Sequence, residues 1–447
     1  MNYSVVIYIL GWIMEIEAAF LALPGIVSAI YGEKGGFAFL WVALGSAVAG
    51  SAIILRKPKN MRFYLREGFV TVALSWILMS VIGCLPFVIN GDIPHFADAL
   101  FEMISGFTTT GATVVSDVEG LTKGSLFWRS FSHWIGGMGV LVFLLAIVPM
   151  AGGSHMNLMK AESPGPSVGK LVPKVRQTAK YLYIIYFALT MIEVIFLLFG
   201  GMNLFEALTT SFGPAGTGGF AIWNDGFVSV SPYNQWVVTI FMLLFGVNFG
   251  FYFLILTGKL RDALKFEEVR IYFIIVIAAA VFIFINLRHF ALYAPAEGIR
   301  QAFFQVASII TTTGFASADF NLWPETSRTI LVLLMFIGAC AGSTGGGIKV
   351  SRFIIACKSF IKEIISYLHP RPVHDREYPV AKALCEKVLE IPAFTMPEDT
   401  MLAQAKALID ACETVYCPCM EFGVCNSYNQ ELYFYAKKQN KLKNLSE

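Results

Sequence analysis

Charged side chains are scarce in this 447-residue chain: Asp, Glu, Lys and Arg make up 14% of it, against 56% for the apolar types. With a mean hydropathy of +0.64, that ratio excludes an ordinary soluble domain. Net charge is equally small, at +2, so no basic excess exists to hold a nucleic acid. No phosphate-cradling loop of the Gly-Lys-Ser/Thr kind occurs, and no Ser/His/Asp set stands in a recognisable local motif, which leaves an enzyme without support. Cysteine is sparse across the apolar part: Cys84 and Cys340 fall in expected membrane segments, and no disulfide framework emerges. The first apolar run, about residues 4 to 31, lacks a basic start and is too long for a cleaved signal peptide, so it reads as a retained helix.

What is present are long apolar runs, and they predict an all-α polytopic membrane protein. A second run, about Gly36 to Leu55, ends at the basic loop Arg56-Lys57-Pro58-Lys59-Asn60-Met61-Arg62. The positive-inside rule places that loop, and with it the N-terminus, in the cytoplasm. Residues 1–56 thus form two N-terminal spans, followed by three units at 67–150, 177–258 and 270–370. Their spans are expected at about 67 to 90 and 126 to 149, at 181 to 200 and 234 to 257, and at 271 to 290 with a second helix from about Ser327. Asp92, Asp117 and Glu119 mark the outer loops, and the runs Lys160 to Lys180 and Lys259 to Arg270 mark the inner ones.

Within each unit lies a Thr-Gly step. Phe107-Thr108-Thr109-Thr110-Gly111-Ala112-Thr113 returns as Thr311-Thr312-Thr313-Gly314-Phe315-Ala316, with a looser copy at Gly216-Thr217-Gly218-Gly219-Phe220. Upstream, Asp98-Ala99-Leu100-Phe101-Glu102 matches Gln301-Ala302-Phe303-Phe304-Gln305, each alanine twelve residues before its glycine; Glu206-Ala207-Leu208 is one residue closer. Irregular backbone between membrane helices survives only where protein buries it or water reaches it. A ring of backbone carbonyls replaces the water around a monovalent cation, threonine hydroxyls add oxygens, and glycine allows the necessary angles. Each short helix would also aim its partly negative C-terminus at the loop.

A second irregularity, Gly338-Ala339-Cys340-Ala341-Gly342-Ser343-Thr344-Gly345-Gly346-Gly347, interrupts the last expected span. One reading is a gate obstructing the pore at mid-membrane depth; the other is a small-residue packing surface. The polar Ser343-Thr344 favours the gate. Lys349 is open to two readings, a pore residue or a lysine snorkelling to the inner surface. His133 and Trp134 read as packing or interface anchors in preference to a proton relay, and Asn248 as interhelical glue or cavity lining. Glu15, Glu17 and Glu193 are ionisable groups within apolar runs, functional by default or paired with a neighbouring helix.

The Thr-Gly loops, with Ser132-His133-Trp134-Ile135-Gly136-Gly137-Met138-Gly139, Glu162-Ser163-Pro164-Gly165-Pro166 and Ala341-Gly342-Ser343-Thr344-Gly345-Gly346-Gly347-Ile348-Lys349, resemble the Trk/Ktr family of potassium uptake subunits, closest to its TrkH type. The resemblance covers about residues 1 to 370. It implies helix/pore-helix/helix repeats as in a potassium channel, preceded by two extra helices, in a plasma (cell inner) membrane. Potassium is the implied substrate, with no covalently bound cofactor. The implied partners are a second copy, as a homodimer, and a cytoplasmic regulatory subunit of the TrkA type that alone binds nucleotide. The filter role falls on Thr110, Gly111, Thr217, Gly218, Thr313 and Gly314, and the gate role on Gly342, Ser343, Thr344, Gly345, Gly346 and Gly347.

In one respect the chain departs from that pattern. The family carries four pore repeats, whereas no apolar run of about 20 residues, the length a span requires, follows Arg371. Residues 371–447 read as a divergent cytoplasmic tail with a helical stretch at Leu402-Ala403-Gln404-Ala405-Lys406-Ala407-Leu408-Ile409. Cys412, Cys417, Cys419 and Cys425 crowd together there, either as a metal or redox site or as plain reduced thiols. Both a conducting transporter and a truncated, non-conducting or regulatory fragment remain compatible with this arrangement.

Overall fold

The computed structural model describes residues 2–58, 65–137, 139, 175–368 and 406. The chain divides into two compact units, Met1–Lys358 and Ser359–Glu447. The first holds everything discussed below, and most of the second lies outside the described residues, including the four tail cysteines and all of the 402–409 stretch except Lys406. The described residues are helical, without a named strand, as the apolar runs predict.

Two helices, α1 (Tyr3–Ile30) and α2 (Gly36–Ile54), come first and pack against each other. Lipid offers apolar helices no hydrophobic reason to associate, so close backbone approach through small residues must supply the contact. Gly50 provides it, lying where a Cβ would stand 2.9 Å from the Gly11 carbonyl oxygen and 3.2 Å from a Glu15 carboxylate oxygen. Glu15 is tied across the same pair by the Ser51 hydroxyl, which donates to it at 2.6 Å. Pro24 in α1 and Pro86 in α3 (Leu65–Asn90) are accommodated inside their helices, as packed membrane helices permit.

Three repeats follow. The first is α3, the short helix α4 (Phe96–Phe107) and α5 (Lys123–Gly137); the second is α6 (Val175–Phe199), α7 (Leu204–Gly216), α8 (Pro232–Phe245) and α9 (Phe249–Leu256). A five-residue helix, α10 (Leu260–Leu264), leads into the third: α11 (Glu267–His289), α12 (Pro295–Ile310), α13 (Glu325–Phe336) and α14 (Val350–Leu368). Among the described residues five helices are long and apolar enough to cross a membrane, or six if the bent pair α8 and α9 counts as one. The short helices α4, α7 and α12 have 12, 13 and 16 residues. At 1.5 Å per residue they reach roughly 18–24 Å, less than a hydrocarbon core of about 30 Å, so none of them is long enough to cross it. Starting signals are explicit where they matter: Asn203 and Glu206 form a capping box at α7, and Pro295 opens α12.

One expected span is not continuous. The run at 234 to 257 breaks at Gly246-Val247-Asn248, and its halves α8 and α9 diverge by 89°. Here Asn248 caps α9, accepting from the Gly250 amide at 2.7 Å. The third repeat breaks as expected, between Phe336 and Val350. Of the expected span at 126 to 149, α5 runs to Gly137, and residues 138 and 140–174 lie outside the described set.

The α1/α2 contact yields a direct check. Gly50→Leu forces the pair apart and lowers stability by about 1–3 kcal/mol, the usual cost of overpacking. Gly45→Leu, at a glycine with nothing within 4 Å, leaves the melting temperature in detergent unchanged. Equal melting of the two variants would refute the packing role.

Candidate functional site: three converging Thr-Gly loops

All three short helices end in the same way. Thr109, Thr217 and Thr312 take the left-handed conformation at φ of 54°, 54° and 59°. Their amides bond three residues back, to Gly106, Pro214 and Ile309 at 3.1, 3.2 and 3.0 Å. The next amides, of Thr110, Gly218 and Thr313, bond five back, to Ser105, Gly213 and Ser308 at 2.9, 3.1 and 2.9 Å. This is a Schellman ending with threonine where glycine is usual. A side chain in that conformation costs roughly 1–2 kcal/mol, and it occurs at the same place in all three repeats.

The shared ending fixes the register and corrects one expectation. Gly111, Gly219 and Gly314 follow the left-handed threonines by two, all with positive φ (76°, 82° and 85°). The second-repeat counterpart of Thr110-Gly111 and Thr313-Gly314 is therefore Gly218-Gly219, not Thr217-Gly218. Ala207 then stands twelve residues before its glycine as Ala99 and Ala302 do, and the apparent one-residue shortening disappears. The looser middle copy concealed this, because the left-handed threonine, and not the Thr-Gly pair, is what repeats.

Consecutive loops lie against each other. A Cβ on Gly111 would collide with the Gly218 carbonyl oxygen, and one on Gly219 with that of Thr313. A Cβ on Gly314 would meet nothing within 4 Å. The second and third loops are each backed by the second helix of the preceding repeat: His133 of α5 against Gly218, and Gly246 after α8 against Thr311. Accordingly Thr311 and Thr313 are buried, whereas their first-repeat counterparts Thr108 and Thr110 are exposed. In both pairs the hydroxyls lie 2.8 Å apart.

Residues 337–349 sit on two of these loops. The Thr217 hydroxyl donates to the Thr344 carbonyl at 3.0 Å, and the Gly346 amide donates to the Thr312 hydroxyl at 2.7 Å. Further bonds run to the α8 break, from Cys340 N to the Gly246 carbonyl and from Phe249 N to the Gly342 carbonyl, both at 3.0 Å. A parallel bridge pairs Ile337 with Ile348, closing the segment into a hairpin-like flap. Its two feet share an anchor in Glu268 of α11, whose Oε1 accepts from Ala341 N at 2.7 Å and from Ser351 N at 3.0 Å. Lys349 turns inward and donates from Nζ to the Gly345 carbonyl. The candidate gate residues Gly342 to Gly347 thus lie together against the filter candidates of the second and third repeats.

Behind the first loop stands a buried ion pair. Arg129 of α5 and Glu102 of α4 are 2% and 0% exposed and bonded through Nε and Oε1. Glu102 also accepts from the Thr113 hydroxyl at 2.9 Å and Val114 N at 3.1 Å. Arg129 reaches the second repeat, donating to the Ala221 carbonyl at 3.0 Å with its guanidinium 3.9 Å from the Phe220 ring centre. Neither residue stood out in the sequence, although an arginine inside an expected span is a signal in its own right. Glu268 was hidden among the inner-side charges Lys265, Glu267 and Arg270.

Removing one member of the pair strands the other. Arg129→Met costs about 3–5 kcal/mol, and Glu102→Gln combined with Arg129→Met recovers much of it by removing the unpaired charge. Melting in detergent, read as a double-mutant cycle, checks this; additive losses would contradict it.

Comparison with known proteins agrees with this architecture. Residues 37–390 match the TrkH family, described as cation transport proteins. The Trk system potassium uptake protein TrkH of Escherichia coli K12 is 36% identical over 87% of this chain and 82% of its own length. TrkG of the same organism is 32% identical over 83% and 77%. The crystal structure of the potassium transporter TrkH from Vibrio parahaemolyticus superposes with a TM-score of 0.73 at 29% identity, covering 92% of this chain and 86% of that one. With more than half its length matched by the family, this chain belongs to the TrkH family of cation transport proteins.

Proposed function

We propose that the chain carries potassium into the cell through a pore lined by the three Thr-Gly loops. The observation that supports this most directly is the contact between loops: the bend at Gly111 lies on the Gly218 carbonyl, and that at Gly219 on the Thr313 carbonyl. Peptide oxygens gathered in this way substitute for the hydration shell of a monovalent cation. The filter oxygens are those of Thr110, Gly218 and Thr313 and the residues beside them, with Thr217 linking the filter to the flap. Residues 342–347 act as the gate. The filter faces outward and the termini lie in the cytoplasm, consistent with the basic inner loops. A homodimer, and a TrkA-type regulatory subunit that binds nucleotide, complete the assembly. The printed names of the relatives support potassium as the substrate.

One observation favours a second reading, a fragment that inserts without conducting. A Cβ on Gly314 would meet nothing within 4 Å, and Thr108 and Thr110 are exposed where their counterparts Thr311 and Thr313 are buried. Rubidium flux into proteoliposomes separates the two: flux supports the transporter. No flux from a correctly inserted chain, with flux gained when a fourth helix/pore-helix/helix repeat is grafted after Pro370, supports the fragment.

Two outcomes are expected of the transporter. Gly111→Ala and Gly219→Ala push back the neighbouring carbonyl, so the preference for rubidium over sodium collapses in both; retained preference counts against the filter assignment. Glu268→Gln replaces charge-assisted bonds at both feet of the flap with neutral ones of roughly half the strength. It should raise rubidium uptake measured without any regulatory partner, and unchanged uptake would dissociate Glu268 from gating.

A further inference from the structure

The second loop differs from its neighbours in what holds it. In repeats one and three the hydroxyls of Thr108 and Thr110, and of Thr311 and Thr313, meet across two residues. Their second-repeat counterparts are Gly216 and Gly218, so Gly216-Thr217-Gly218-Gly219 has a side chain at a single position. Such a segment has the widest backbone freedom available and no internal strut.

A residue from the preceding repeat occupies the vacant space. A Cβ on Gly218 would collide with the imidazole ring of His133, and one on Gly216 with the His133 carbonyl. His133 is fully buried. Its Nδ1 lies 2.8 Å from the Gly106 carbonyl in the last turn of α4; a carbonyl only accepts, so Nδ1 carries the hydrogen. The ring also packs on Phe220, just past the loop, at 4.2 Å between centres. One side chain therefore touches the first filter's helix and brackets the second filter loop. Its Nε2 is buried without a partner among the described residues, a cost that an apolar space-filler would avoid.

We propose that His133 is a positioning residue for the filter: its ring replaces the missing threonine pair of the second repeat and holds the Gly218 carbonyl against Gly111, thereby setting the preference for potassium over sodium. This rests on the reading of the loops as a filter. His133 acts through Gly218 and touches no ion.

The test uses the full chain with His133→Ala, His133→Gln, Gly218→Thr, and His133→Ala combined with Gly218→Thr. Two quantities are read: the melting temperature in detergent in potassium against sodium chloride, and the ratio of rubidium to sodium uptake in proteoliposomes. His133→Ala and His133→Gln should each lower the uptake ratio by about tenfold or more, within the range that one contact gives, and should shrink the difference in melting between the two salts. Glutamine keeps a donor for Gly106 and secures the fold if alanine does not. Gly218→Thr alone collides with the ring and melts early. In the double variant the threonine fills the emptied space, and melting and ratio both rise above those of either single change. Folded His133 variants with the native ratio would overturn the proposal, leaving His133 as packing only, as would a double variant no better than the worse single one. A native chain that distinguishes the two salts in neither assay would overturn the filter reading itself and this proposal with it, an outcome distinct from native discrimination that survives in the variants.

Discussion

Backbone amides inside a bilayer must find partners within the protein, and the core of this molecule is arranged around three places where helices stop short of doing so on their own. Each short helix ends in a left-handed threonine, and the carbonyls beyond it are left for something other than a helix. Neighbouring loops then meet glycine to carbonyl, Gly111 on Gly218 and Gly219 on Thr313. A methyl group at either glycine would separate them. The rest of the fold keeps these contacts in place: the Arg129–Glu102 pair ties the first loop to the second, and His133 and Gly246 back the second and third.

The second helices of the second and third repeats share a related property. α8 gives way at Gly246 and α13 before Gly338, so each is interrupted at a glycine close to the loops. In the second repeat the break is short and tightly capped by Asn248. In the third it is long enough to fold over as a flap whose polar groups are met by Thr217, Thr312 and Glu268. The same local weakness thus supplies a bend in one repeat and a flap in the other, the difference being the number of residues between the two helical halves.

Much of this was legible in the residues. Apolar runs gave the helices at 67 to 90, 181 to 200 and 271 to 290 to within a few positions, because length and hydropathy alone decide whether a helix can cross. The glycine-rich break after Phe336 was visible because no helix runs through so many glycines unaltered. The bend at Gly246 was not, since a lone Gly-x-Asn within an apolar run costs a helix little on paper and becomes a break only when Gly342 and Cys340 offer it bonds. The register of the second loop was misread for a similar reason. Thr217-Gly218 looks like Thr110-Gly111, yet what repeats is a backbone conformation that the sequence does not spell. Arg129 and Glu268 act through partners 27 to 92 residues away, a separation that no local pattern encodes.

A single carboxylate oxygen of Glu268 accepts from both Ala341 N and Ser351 N, one on either side of the glycine-rich turn. Two stretches of chain ten residues apart in sequence are thereby pinned to one point on α11. Whatever displaces that oxygen is felt at both stretches at once, while the bonds to Gly246, Phe249, Thr217 and Thr312 stay as they are.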